Sequence, residues 1–219
     1  MSFKRFTTAR CLLAAIALIG AGILVLFAGS DKTLAQRLDT PRIAPVTKAT
    51  WTPEQENLLK PLERDGVIYN MYATMANHPE LARDWLVFAS HVLQKNTLPE
   101  RDREILVLRT AWLRKAEYAW AQHVRIGKAV GLSDEDINRI MEGSNAGGLG
   151  KGDHLLLKAA EELHKDAFVS DATWAALSTT YDTKQMMDMV FTVGIYNLVS
   201  MALNSFGVQL DEGLEGFQK

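Results

Sequence analysis

The sequence predicts an all-α fold: a single helical domain of about seven or eight helices, preceded by an N-terminal hydrophobic segment. Three observations carry this. Beyond Trp51, apolar residues recur at three- and four-residue spacing, as along Leu81, Trp85, Phe88, Ala89, Val92 and Leu93. Helix-start chemistry recurs at Thr52-Pro53, Pro79, Pro99, Ser133 and Ser170-Asp171. No alternating strand pattern lasts more than a few residues.

The elements follow in order. Residues 1–35 join a basic start (Lys4, Arg5, Arg10) to an uncharged Leu/Ile/Ala/Val run from Cys11 to Ala28. This is a signal peptide cut near Thr33-Leu34-Ala35, or an N-terminal anchor in the cytoplasmic membrane, held by the positive-inside tendency. Both readings export the rest of the chain, to be periplasmic or secreted in the first case and membrane-attached in the second. Residues 36–50, with Pro41 and Pro45, read as a linker, with an arm reaching a neighbouring subunit as the alternative. Residues 51–219 form the helical domain, starting at the Thr52 cap.

His78-Pro79 marks a boundary, because the residue before proline disfavours helix. Pro79 opens a helix bearing His91. From Leu98 to Leu132 two helices follow: one apolar nearly all round, hence central, and one carrying Glu117, Tyr118, Trp120, Gln122 and His123. On the second, Ala116, Ala119, Trp120, His123 and Gly127 share a stripe. Ser133 with Asp136 is a capping box for the next helix. The glycine-rich stretch 142–153 lacks Walker spacing and reads as a flexible loop, a candidate lid. Helices over Asp153–Lys165 and after Ser170 come next. The last runs from about Thr183 to Phe206 and stops at Gly207. Its Tyr196, Ser200 and Asn204 form a polar stripe that lines a pocket or, the favoured reading, a subunit seam. Residues 98–131 and 183–207 show a weak echo compatible with duplication.

Composition narrows the function. The formal charge of −2 and the absence of a basic stripe give no sign of nucleic acid or an anionic membrane surface as partner, so membrane contact is expected only through the N-terminal segment. The only cysteine, Cys11, lies in that segment, so the domain has no thiol nucleophile and no cysteine ligand. His154 and His164 lack the i, i+4 spacing of a metal-binding helix, and no metal or cofactor is expected.

The central expectation is that Glu104 and His123 meet between the two helices, with Tyr118 or Glu117 close by. A carboxylate beside an imidazole fixes its orientation and tunes its pKa, which suits general acid/base chemistry. The competing reading is a buried Glu–His hydrogen bond that only satisfies two polar groups. Tyr118, Glu117, Trp120 and His91 are candidate substrate-binding residues.

Glu104, the run EYAWAQH (117–123), and the closing stretch VGIYN (193–197) with LNSFGV (203–208) resemble the carboxymuconolactone decarboxylase and alkylhydroperoxidase-D-like superfamily. In that superfamily's peroxidase branch the motif is a Glu, then Cys-x-x-Cys, then a His four residues after the second Cys. The Glu falls on Glu104 and the His on His123, while Ala116 and Ala119 occupy the thiol positions, as in a cysteine-free branch. The resemblance implies the family's helix-pair core and a homo-oligomer, trimer or hexamer, with the site near a subunit interface. It also implies a cofactor-free lyase or isomerase acting on a small carboxylate or lactone, with His123 shuttling the proton and Glu104 orienting it. The alternatives are a peroxide-defence protein by ancestry, opposed by the missing thiols, and a non-catalytic exported small-molecule-binding protein.

Overall fold

A computed structural model describes residues 37–217; the expected signal peptide or anchor, and Cys11, lie outside the described residues. Those residues form nine α-helices and no strand. The helices are α1 (Pro53–Leu59), α2 (Asn70–Met75), α3 (Pro79–Gln94), α4 (Glu100–Leu113), α5 (Glu117–Ala129), α6 (Asp134–Glu142), α7 (Lys151–Asp166), α8 (Asp171–Leu177) and α9 (Thr183–Phe206).

Local chemistry sets the helix starts. Thr52 and Ser133 each complete a capping box, accepting from the third following amide while that residue's side chain answers the cap N–H. The Ser170 hydroxyl accepts from the Thr173 amide, and the Asp182 carboxylate caps α9 with Gln185. The α9 helix stops where Gly207 turns left-handed at φ 70°, and the space a Cβ would need there is filled by Leu38, Thr40 and Pro41.

The all-round apolar helix is central as expected. Ile105, Leu106, Val107, Leu108 and Ala111 of α4 are buried against α5, α6, α7 and α9. Gly127 lets α5 approach closely, since a Cβ there would lie 2.9 Å from Leu132 and 3.3 Å from Leu108. Residues 37–50 are not a free tether: Arg42 N–H donates to the Phe206 carbonyl at 2.8 Å and Val46 N–H to the Ala73 carbonyl at 3.1 Å. The arm packs on its own domain.

The glycine-rich loop is pinned at its start. Glu161 accepts from the Ser144 amide at 2.9 Å and its hydroxyl at 2.5 Å, and Gly143 takes φ 100° against Arg109 and Glu161. Two hydrogen bonds on one serine tie the start of the loop to α7.

Candidate functional site

Glu104 and His123 meet as the helix pair requires. Both are buried, Glu104 completely, and His123 Nδ1 lies 2.6 Å from the Glu104 carboxylate. Arg103 Nε–H donates to the other carboxylate oxygen at 3.2 Å. Burial alone would raise the Glu104 carboxyl, but His123 and Arg103 together outweigh it, and the net shift is downward. Glu104 is therefore a carboxylate at neutral pH, which assigns the proton to Nδ1 of His123 and leaves Nε2 as the acceptor.

Tyr196 of α9 completes the line. Its hydroxyl is 2.8 Å from His123 Nε2, and the two rings meet edge to face with centroids 4.8 Å apart. Burial, with Glu104 close by, pushes the Tyr196 phenol well above its ordinary value, so it stays protonated and donates. The stripe of Tyr196, Ser200 and Asn204 thus turns inward instead of forming a subunit seam. Ser200 is fully buried and Asn204 donates to the Arg114 carbonyl at 3.0 Å, at the end of α4.

His123 and Tyr196 open onto a cavity of about 120 Å³. Its walls include Tyr69, Tyr72, Trp85, Val92, Ile195 and Val199, and its polar members also include Tyr118, Gln122 and Arg125. Tyr118 is the candidate substrate-contact residue that lines it. The phenol of Tyr118 is raised by burial and by Asp211, whose carboxylate accepts from it at 2.5 Å. That carboxylate also accepts from Gln122 Nε2 at 2.7 Å and from the Asn70 amide at 2.7 Å.

Three other candidates fall outside the cavity. Glu117 accepts from the Phe217 amide at 3.0 Å, and Trp120 packs on Trp112 and Phe217, so both clamp the C-terminal tail. His91 sits on the exposed face of α3, 3.8 Å from Asp188. Each stands on a helix that borders the cavity, but none of the three is among the cavity's lining residues. Sequence reasoning missed Tyr196, Asp211 and Arg125 as site residues. For Tyr196 the inward polar stripe was the available signal; Asp211 stands in a tail without periodicity and carried none. Among the described residues, no group of three His, Cys, Asp or Glu side chains is arranged to hold a metal ion.

The family model of the carboxymuconolactone decarboxylase family matches residues 79–161, a span that contains Glu104 and His123. Solved structures agree on the fold. An uncharacterised peroxidase-related protein from Ralstonia eutropha JMP134, with an alkylhydroperoxidase AhpD core, superposes with a TM-score of 0.66 at 16% identity, covering 78% of this chain and 93% of that one. Over residues 79–161 the chain is similar to the carboxymuconolactone decarboxylase family, and its fold is that of the alkylhydroperoxidase AhpD core. A second peroxidase-related protein, from Silicibacter sp. TM1040, gives a TM-score of 0.64 at 14% identity over 81% of this chain and 92% of that one. The debrominase Bmp8 in complex with 2,3,4-tribromopyrrole gives 0.65 at 13% identity, over 78% and 91%. At these identities the likeness is one of fold. Comparison with curated sequences returned no match. In the frame of the sequence resemblance, Glu104 and His123 are present, and Ala116 and Ala119, both buried, stand where that motif has its cysteines.

Proposed function

We propose that this protein is a cofactor-free acid/base enzyme of the lyase or isomerase type, acting on a small carboxylate or lactone. The observation that supports it is the continuous hydrogen-bonded line from Tyr196 through His123 to Glu104, ending at a cavity wall. A substrate proton delivered to the Tyr196 oxygen moves on as Tyr196 passes its own proton to His123 Nε2. The imidazolium so formed is held by the Glu104 carboxylate, and reversal returns a proton to the product. No thiol takes part, so the peroxide chemistry of the cysteine-bearing relatives is not carried over. A debrominase of this fold that holds a pyrrole supports a cavity of this kind taking a ring compound.

The test compares the full-length protein with its His123→Ala variant. Both are incubated with small lactones and carboxylates, and with hydroperoxides plus a reductant, following substrate loss. Lactone or carboxylate turnover that vanishes in the variant supports the reading. Peroxide turnover by the parent protein overturns it. Silence from both proteins moves the assignment to an exported binding protein.

We further propose that the protein acts as an exported homo-oligomer, trimer or hexamer. On α9 the exposed positions Met187, Phe191, Gly194, Leu198, Met201 and Ser205 recur at spacings of four and three, the 3.5-residue period of a helix seam. Four of them are large apolar side chains at least half exposed, and Phe191 meets Phe88 of α3 edge to face. A second copy of α9 matches that period, and Gly194 leaves room for close approach. By length and composition α9 could also cross a membrane, but half of its apolar window is packed within the fold. Light scattering of the parent protein and of Phe191→Glu tests this: a smaller particle in the variant is expected, and an unchanged mass excludes the α9 seam.

A further inference from the structure

Arg125 is the one cation on the cavity wall, and among the described residues no carboxylate pairs with it. Its guanidinium lies 5.5 Å from the Tyr69 ring centroid. One nitrogen, Nη2, donates to the Tyr69 hydroxyl at 3.0 Å and to Gln122 Oε1 at 2.9 Å. Both acceptors are neutral, and Nε and Nη1 have no acceptor among the described residues. The arginine is thus held at one nitrogen by neutral groups, with no carboxylate beside it to compensate its charge.

The grip has a second layer. Gln122 is buried and its amide can point only one way, because Nε2 is committed to Asp211 while Oε1 receives Arg125. The same Asp211 carboxylate fixes Tyr118, and the Asn70 amide holds Asp211 in turn. Asp211 therefore positions the cation's holder at one remove without neutralising the cation itself.

From this arrangement we infer that Arg125 is an anion-binding residue of the cavity, and that the ligand is a flat aromatic or similarly unsaturated ring bearing one carboxylate. The carboxylate would take the free Nε–H or Nη1–H donors through single charge-assisted hydrogen bonds, since Nη2 is already committed. The ring would lie among Tyr69, Tyr72, Trp85, Tyr118 and Tyr196, five aromatic side chains that favour edge and offset contacts with a planar guest. A single cation favours a monoanion over a dianion. The inference rests on the acid/base reading for its place in a reaction, but binding can be measured without turnover.

The experiment is calorimetric titration of the full-length protein with benzoate and, separately, with its neutral counterpart benzamide, at low and high salt. Saturable one-site binding of benzoate is expected, at least tenfold tighter than benzamide and weakened by salt. Arg125→Gln should abolish that preference, with thermal unfolding unchanged because the residue is exposed. Arg125→Lys, which keeps the charge and loses the hold of Tyr69 and Gln122 on the guanidinium, should retain part of it. Equal binding of the two probes, no saturable benzoate binding, or undiminished benzoate binding by Arg125→Gln would each overturn the inference. His123→Ala separates the two proposals. If it turns over substrate like the parent while Arg125→Gln loses benzoate, the acid/base reading fails and the anion site stands. Loss of turnover in His123→Ala, with benzoate unaffected by Arg125→Gln, overturns the anion site and leaves the acid/base reading standing.

Discussion

Helix α4 carries two buried charged clusters on different faces, and they behave differently. Towards α5 and α9, Glu104 holds His123, and His123 holds Tyr196, whose neighbours include the open cavity. Towards α6 and α7, Arg109 donates Nε–H to Glu161 at 2.9 Å and Nη1–H to the carbonyls of Ile140 and Met141 at 2.9 and 2.7 Å. Glu161 also takes both donors of Ser144. The second cluster does not line the cavity beside His123; it pairs Arg109 with Glu161, spends Nη1 on two backbone carbonyls and holds Ser144, which locks the start of a loop. The first ends in a group that can exchange a proton with a guest. Burial and charge mark both clusters; only access to empty space distinguishes a candidate reaction centre from a brace.

The largest expected effects would separate the two directly. His123→Ala should lower turnover per folded molecule about 10²–10⁴-fold, the usual contribution of a positioned acid/base group; it also leaves the buried Glu104 carboxylate with Arg103 alone, so some stability is lost as well. Glu161→Ala should cost stability alone. It strands the buried Arg109 cation and costs about 3 kcal/mol in denaturant unfolding, the lower end for breaking a buried pair, while the surviving folded fraction keeps its turnover per molecule. If Glu161→Ala cut the rate of folded protein as deeply as His123→Ala, the division between brace and centre would be wrong.

An intermediate effect lies in pH. The Glu104 carboxyl is lowered below its ordinary 4.5 by His123 and Arg103, against the opposing effect of burial. A group depressed in the folded state stabilises fully above its unfolded pKa and loses that contribution as pH falls through the folded value. Stability that is present at neutral pH should therefore decline below about pH 4.5. Glu104→Gln should remove that part of the acid slope. Unfolding free energies at pH 6 and at pH 3.5, parent against variant, check the sign: the gap between them should narrow on acidification. A gap that widens would mean that burial, not the His123 and Arg103 charges, controls the carboxyl.

Much of the fold was legible because its signals are local. Caps at Thr52, Ser133 and Ser170, the stop at Gly207 and the apolar run of α4 each act within one or two helical turns. The Glu104–His123 pair was legible because a short connection forces two consecutive helices together. The expectation of seven or eight helices fell short of nine because α2 is six residues long and too brief to display a period. What stayed hidden depends on tertiary placement. Tyr196 is 73 positions from His123. Asp211 reaches the cavity residues Tyr118 and Gln122 from an irregular tail, and Arg125 resembles any exposed basic residue until its acceptors are known. Glu117, Trp120 and His91 failed for a related reason: chemistry chosen by residue type says nothing about which way a helix face turns.

Tyr196→Phe is the smallest change and the sharpest on the comparison. It deletes one hydroxyl and leaves the ring packed against His123, so stability should fall by only about 1 kcal/mol, the net worth of one hydrogen bond. Nitrogen NMR of the His123 ring gives the decisive readout. In the parent protein Nε2 accepts from the phenol and Nδ1 is pinned by Glu104. In the variant Nδ1 should keep its proton while Nε2 shifts towards an unbonded acceptor, because the carboxylate rather than the phenol fixes the tautomer. A proton found on Nε2 instead would make the Tyr196 hydroxyl the acceptor, reverse the direction of the line, and place the base on the wrong side of His123.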